Sequence, residues 1–424
     1  VPVLETKQGT LGEAVRAAVA KDVMDVEKGD MLHVIVVREK GVKTGCALLV
    51  CAHHAAFDGW SLRVLLEEIG ALYAGKKLSP LPLQYIDYTV HEEKLLASGG
   101  FDSGINYWKK ALAGAEALPL DLPLDRPRPA QRTLKSGFVE MSISSQLEQG
   151  MAQWQQQSGT TPFMALLASV QLLMHKVSQT QMTDICVGSL AANRYRPELE
   201  QMIGMFVNTV VYRSSVQPTD TFEQLQQQVK GNAVDVLRYS SVPIDLLVRE
   251  VKDKGGVSPF FQVTFRDESD VGGSSEGNTW LKLAETGRPA FFDLDIVLTG
   301  SKIQFVYAAD VFDHNTIVAM VDRFQSLLSQ LFVDRKTAVP IHSLSAMLPA
   351  DQKLLTEMNT TETDFGTVLC VHDVILQQVR QQPNKPAVTL DGRTLSYAEL
   401  LGESALSSLP ALIVFLTGVS PCVR

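Results

Sequence analysis

The sequence predicts a mixed α/β protein of α+β character, and three observations carry that expectation. Short runs rich in Val, Ile and Leu recur along the chain, stretches with apolar residues at helical spacing lie between them, and the two kinds follow no regular alternation. With 424 residues, 45% of them apolar, the chain can bury a large core and form two or three globular units.

Residues 31–38 and 46–52 are Val-, Leu- and Ile-rich runs separated by the turn-forming segment 39–45, and they read as adjacent strands. Beyond Asp58 the pattern changes, with Leu62, Leu65, Leu66, Ile69, Leu72 and Tyr73 at helical spacing until Gly75 stops them. Helices are expected at 85–96 and 104–112, an extended proline-rich linker at 118–132 and a strand at 137–142. Thr160-Thr161-Pro162 opens a strong helix through Leu166, Leu167, Val170, Leu173 and Met174. Strands follow at 185–191 and 206–211, a helix at 221–237, strands at 261–266, 292–299 and 302–308, and a helix at 315–332. Residues 333–366 are polar and read as an interdomain connection, after which an amphipathic pattern runs from Val371 to Val379.

Bulk properties exclude several classes of function. A net charge of −9 with no basic block argues against nucleic acid as a partner. Cys46, Cys51, Cys186, Cys370 and Cys422 are scattered and form no CxxC pair, which fits a reducing compartment. There is no signal-peptide pattern at the start, and the apolar stretch 409–419 is too short to cross a bilayer, so a cytoplasmic location without membrane contact is expected.

The chemistry concentrates at His53-His54-Ala-Ala-Phe-Asp58-Gly59-Trp60-Ser61, on a strand-to-helix connection. A metal site needs a third ligand; adjacent histidines on extended backbone point apart, and no HxxxH, HExxH or cysteine cluster supplies one. Two readings stay open on the residues alone. In one, His53 and His54 end a buried strand with satisfied hydrogen bonds and Asp58 caps the helix. In the other, one imidazole takes a proton from an attacking hydroxyl or amine, Asp58 orients the loop through a salt bridge, and Gly59 lets a substrate approach the backbone. The second suits acyl transfer to a nucleophile.

The stretch 53–59 resembles the HHxxxDG motif of nonribosomal peptide synthetase condensation domains, within the chloramphenicol-acetyltransferase-like superfamily. The order of further segments makes the resemblance specific. Tyr85-Ile-Asp-Tyr88 is similar to YxDY, Ala192-Asn193-Arg194 with Ile203-Gly-Met-Phe-Val-Asn-Thr209 to the NR and IGxFVNT pair, Val242–Val248 to VPFExLV, and Ser258–Phe265 to NPLFQVxF. The resemblance runs from about residue 15 to about 345. It implies two acetyltransferase-like lobes forming a V, with residues 1–125 as an incomplete N-terminal lobe, 126–345 as the C-terminal lobe and 346–366 as a linker. Residues 367–401 resemble the opening of an AMP-binding adenylation domain, and 402–424 match nothing. The family's early SxAQxRLW and RHExLRT segments are missing before residue 15, the first residue is Val1, and the adenylation resemblance stops after Gly402. An interior piece of a larger synthetase, or a faulty gene prediction, is therefore expected.

By resemblance His54 is catalytic, His53, Asp58, Gly59 and Arg194 support the motif, and Trp60, Ser61 and Asn208 are candidates to line a tunnel. Asp58 is expected to pair with Arg194 across the lobes. The implied reaction joins two substrates held as phosphopantetheine thioesters on upstream and downstream carrier domains, with no metal and no cofactor bound directly. Histidines at 53 and 54 argue against heterocyclisation, and Leu62 after Ser61 argues against epimerisation. The alternative is an inactive relic or a carrier-binding module without catalysis. Asp270–Ser275 superficially resembles a carrier's phosphopantetheine site but lacks the flanking helix pattern, so it reads as a loop.

Overall fold

The computed structural model describes residues 1–7, 9–42, 46–115, 120–251, 260–269, 289–362, 371–390 and 392–406. The loop expected at 270–275, the tail beyond 406 and residues 258–259 lie outside them. Residues 1–348 form one compact unit and the chain from 349 onward another.

Among the described residues, the first unit contains two sheets. In the smaller, β1 (Val3–Thr6) pairs parallel with β2 (Leu32–Glu39), which pairs antiparallel with β3 (Cys46–Ala52). Helix α1 (Leu11–Lys21) lies against β2 and β3, and Ala18, Val37 and Leu49 are the buried residues of that layer. The opposite face stays open: Val3 is 56%, Leu32 55% and Leu48 51% exposed, although Val3, Val36 and Leu48 are direct cross-strand partners. Beyond β3 come α2 (Gly59–Tyr73), α3 (Tyr85–Ala97) and α4 (Asp102–Ala111).

The larger sheet is mixed, in the order β4 (Ser136–Ser142), β9 (Lys302–Ala308), β8 (Leu294–Thr299), β7 (Val263–Asp267), β5 (Asp184–Ala191), β6 (Asn208–Ser215). The β8–β7 and β7–β5 pairs are parallel and the others antiparallel. Four helices pack on this sheet or on one another: α5 (Ser145–Ser158), α6 (Pro162–Val177), α8 (Phe222–Arg238) and α10 (His314–Leu328). Helix α6 starts where Thr161 accepts from Met164 N at 3.2 Å with Pro162 at its first position, and residues 165–175 are buried without interruption. A helix buried all round is the centre of a core rather than its cover. Helix α8 opens on a capping box between Thr221 and Gln224, and α10 runs on into a π-helical turn at Ser329–Val333, so the apolar pattern reaches Phe332. The short α7 (Pro197–Glu200) and α9 (Ile244–Val251) sit in the connections.

Phe101, Trp108, Leu112, Leu120 and Leu122, which precede the boundary expected at 125, lie in the same buried cluster as the larger sheet and its helices. Trp108 Nε1 donates to Tyr239 O at 3.0 Å, and α4 approaches so closely that a Cβ on Gly104 would stand 2.4 Å from Val242 Cγ2. The described part of the proline-rich linker is a strap fastened to the lobe of the larger sheet. Arg126 Nη1 reaches Asp313 at 2.7 Å, and Arg128 (2.7 Å) and Arg132 both reach the fully buried Asp293. The linker expected at 346–366 contains helix α11 (Pro349–Asn359), which has no buried residue and so offered no apolar periodicity to read.

The second unit continues with α12 (Val371–Gln381), an antiparallel pair of β10 (Pro386–Leu390) with β11 (Arg393–Ser396), and α13 (Tyr397–Leu406), which contacts α12 and both strands.

Candidate functional site

Strand β3 ends at Ala52, and His53 N still donates to Met31 O at 2.9 Å. The backbone then leaves the extended conformation. His53 caps a single 3₁₀ turn, His54–Ala56, with its Nδ1 accepting from Ala55 N at 3.1 Å. The two rings are therefore separated by this turn rather than by strand alternation. His53 is half-buried and folded back on its own backbone, while His54 is exposed, with no side-chain hydrogen bond among the described residues.

Four residues on, Asp58 is 3% exposed and does two jobs that the sequence set against each other. As the cap of α2, its Oδ1 accepts from Ser61 N at 2.8 Å. As an anchor, its Oδ1 and Oδ2 accept from Arg194 Nη2 at 3.0 and 3.2 Å, and Oδ2 accepts from Phe206 N at 3.0 Å. Both side chains of this ion pair are almost fully buried, at 1% and 2% exposure.

Arg194 reaches inward because Asn193 adopts a left-handed backbone (φ 53°), a conformation asparagine tolerates, and Asn193 Oδ1 accepts from Ser240 Oγ at 2.9 Å. Arg194 Nη1 donates to Leu199 O (2.6 Å) and Met202 O (2.7 Å), and the guanidinium stacks 4.1 Å over the Phe206 ring. Its buried Nε makes no hydrogen bond among the described residues. Burial pulls the Arg194 pKa below its ordinary value, and the Asp58 carboxylate opposes that pull. Arginine stays charged throughout the working range, so the pair is a charged one.

Ser61 is fully buried in the same joint. Its hydroxyl accepts from Gly204 N (3.0 Å) and Arg194 Nη2 (3.1 Å), and its single proton faces Asp58 Oδ1 (2.7 Å) and Gly204 O (2.9 Å). Ser61, one of the residues expected beside a tunnel, is thus saturated within the joint. Asn208, another of them, satisfies backbone groups: its Nδ2 donates to Ser240 O (2.7 Å) and Val242 O (2.6 Å), and its Oδ1 accepts from Ile244 N (3.2 Å). The amide is consumed in fixing the turn before α9. Trp60 staples α2 to the other lobe through Nε1 to Glu200 O at 2.8 Å, with Arg63 4.0 Å above its ring. Gly59, the first residue of α2, is exposed beside this network.

The joint also explains why β6 begins at Asn208 rather than at Phe206. The amide of Phe206 is spent on Asp58 and cannot enter the ladder. Leu199, Met202 and Phe206 form a small core of their own with Leu81, Tyr85 and Tyr88. The positions of Gly204 and Tyr85 in the joint were not expected; the only signal was that both lie in motif segments.

Among the described residues no group of three or more His, Cys, Asp or Glu is placed to hold a metal ion. Surface concavities occur beside Asp220–Gln228 and between α5 and the turn 331–337, and neither includes a residue of 53–61. No helix among the described residues is long and apolar enough to cross a membrane. What the arrangement offers chemically is one accessible imidazole on a short turn, with its far end pinned by a buried ion pair.

Comparison with known proteins places this geometry. A family model described as the condensation domain matches residues 4–356, which extends the expected range at both ends. The chain is 30% identical over 392 residues to malpinin synthetase of Mortierella alpina, covering 89% of this chain and 5% of that protein. It is 30% identical over 426 residues to phosphinothricin tripeptide synthetase PhsC of Streptomyces viridochromogenes, covering 94% of this chain and 38% of that protein. The chain thus spans only a minor part of the length of these relatives. Among solved structures, a four-domain nonribosomal peptide synthetase bound to AMP and glycine superposes with a TM-score of 0.71 at 20% identity, over 99% of this chain and 33% of that one.

Proposed function

This chain belongs to the condensation-domain family, and from that premise we propose that it forms the amide bond between two substrates delivered as phosphopantetheine thioesters on separate carrier domains. The observation that carries the reading is the buried Asp58–Arg194 pair, which holds an exposed His54 at the junction of the two lobes. An intact anchor of this kind favours catalysis over a relic that merely binds carriers.

In this reading the acceptor amine attacks the donor thioester carbon, a C–N bond forms, the C–S bond breaks, and the carrier thiol leaves. The amine gives up a proton, which the thiolate takes up. His54 is the group placed to accept that proton or to hold the amine while the tetrahedral oxyanion forms. Holding both partners in line supplies about 7–11 kcal/mol in well-oriented cases. The chain needs no bound cofactor of its own, because the reactive thioesters arrive on the partners. His53, Asp58 and Arg194 keep the turn in place; Trp60 and Gly59 border it.

Residues 367–401 read as the opening of an adenylation domain adjoining the condensation domain, supported by α12, the β10–β11 pair and α13 following the first unit in that order. The free thiols of Cys46, Cys51 and Cys186 suit the reducing cytoplasm in which carrier thiols also persist.

The test is a single turnover with one carrier loaded as donor and another as acceptor, with the product amide followed by mass spectrometry. Amide should form, and His54→Ala should slow it by about 10²–10⁴-fold. Equal rates for the two proteins would overturn the assignment of His54.

A further inference from the structure

The segment 202–207 that grips Asp58 and Ser61 lies outside any strand, so no ladder holds it. Tyr85, the first residue of α3, meets it from the other side. Its Oη donates to Met205 O at 2.8 Å, its ring lies so close over Gly204 that a Cβ there would stand 2.2 Å from Cδ2, and Phe206 meets the ring edge-on at 5.1 Å. Tyr85 is itself fixed by the capping box at its helix start, where Gln84 N donates to Asp87 Oδ2 at 2.8 Å. Three consecutive residues are thus tied on opposite sides. Gly204 and Phe206 hold the α2 cap, and Met205 is held by the phenol.

We infer that Tyr85 is a positioning residue for the His54 turn, acting at second remove through the Gly204–Phe206 backbone and not by touching substrate. The inference rests on the condensation reading only for its consequence in turnover; the coupling itself is a property of the fold. If the phenol is lost, Met205 O loses its tie to α3 while the ring still packs, so Asp58 and Ser61 keep their partners on a backbone that wanders. Burial raises the Tyr85 pKa, which keeps the phenol a donor across the neutral range. A purely packing role predicts instead that Tyr85→Phe changes nothing at His54.

The experiment uses the full chain and compares wild type with Tyr85→Phe, Gly204→Ala, Tyr85→Ala and the Tyr85→Ala/Gly204→Ala pair. The first readout is the imidazole ¹⁵N signal of His54, identified by its loss in His54→Gln. The inference predicts that this signal shifts or broadens in Tyr85→Phe and Gly204→Ala, while amides of α6 and the melting temperature hold in Tyr85→Phe. It also predicts that Gly204→Ala adds nothing once the ring it strikes is gone. The second readout is turnover: Tyr85→Phe should lose on the order of tenfold in single-turnover rate with half-saturating carrier concentrations unchanged. An unmoved His54 signal in both single variants, or strictly additive effects in the pair, would overturn the inference. If wild type forms no amide, the condensation reading fails while the imidazole signal still decides the coupling.

Discussion

Among the described residues, the two lobes of the first unit differ in how fully their sheets are covered. The larger has six strands, a helix buried on every side and a proline-rich strap bound by arginines to a buried aspartate. The smaller has three strands with α1 lying against β2 and β3, and Val3, Leu32 and Leu48 on its other face are more than half exposed. The His54 turn grows from the smaller lobe, yet among the described residues every group that donates to the Asp58 carboxylate, apart from Ser61, comes from the larger. The comparison teaches that the His54 turn is tied on two sides, through His53 N to Met31 O in its own lobe and through Asp58 to Arg194 and Phe206 of the other.

That contrast can be broken most sharply at the joint. Arg194→Met leaves Asp58 buried with its charge uncompensated, and should cost about 3–5 kcal/mol in urea unfolding. Arg194→Lys keeps a charge but loses the fork that reaches Leu199 O, Met202 O and Asp58 together, and should lower both melting and activity. Full activity with unchanged melting would refute the pairing's role. A second test addresses which lobe owns α4: Gly104→Ala drives a methyl into Val242 and should destabilise the larger lobe by about 1–3 kcal/mol. Gly70→Ala in α2 meets nothing within 4 Å and should stabilise by about 0.5–1 kcal/mol, so the two glycines should differ in sign in the same denaturation assay.

The smallest effect belongs to the smaller lobe. His33 Nδ1 lies 2.6 Å from Asp22 and its Nε2 lies 2.7 Å from Asp30. Hydrogen bonds to Asp22 and Asp30 raise its pKa above 6.5. A raised folded value means the clasp contributes fully below pH 6.5 and is lost as pH rises through the raised value. Amide exchange in β2 and β3 should therefore speed up between mildly acid and alkaline pH beyond the intrinsic rate. Amides of β8 and β9 should not. Equal acceleration in both sheets, or none, would sink the prediction.

Much of this architecture was legible in the sequence where local pattern and burial agree. Strand β9 follows its apolar run from Lys302 to Ala308 residue for residue, and α6 starts where Thr161-Pro162 says it should. Helix α5 escaped notice because its face is glutamine-rich; Ser144 at its start and the left-handed Gly159 at its end were the signals available. Membership of α4 in the larger lobe depends on Gly104 meeting Val242, a contact between positions far apart in the chain that no periodicity encodes. At the site, the order of motif segments pointed to Asp58 and Arg194. The roles of Ser61, Gly204 and Tyr85 did not emerge, since hydrogen bonds between irregular loops leave no repeating trace. Reading Asp58 as either cap or anchor was a false choice, because a carboxylate has acceptor sites enough for both.

The central claim is that the larger lobe holds the His54 turn in place through Asp58. The most direct test is Asp58→Asn, which keeps the shape and the cap acceptor for Ser61 but removes the charge that Arg194 faces. In the single-turnover amide assay the account predicts a loss of about 10²-fold in an enzyme that still folds and still saturates with carrier at the same concentration. A wild-type rate from a folded Asp58→Asn protein would contradict it.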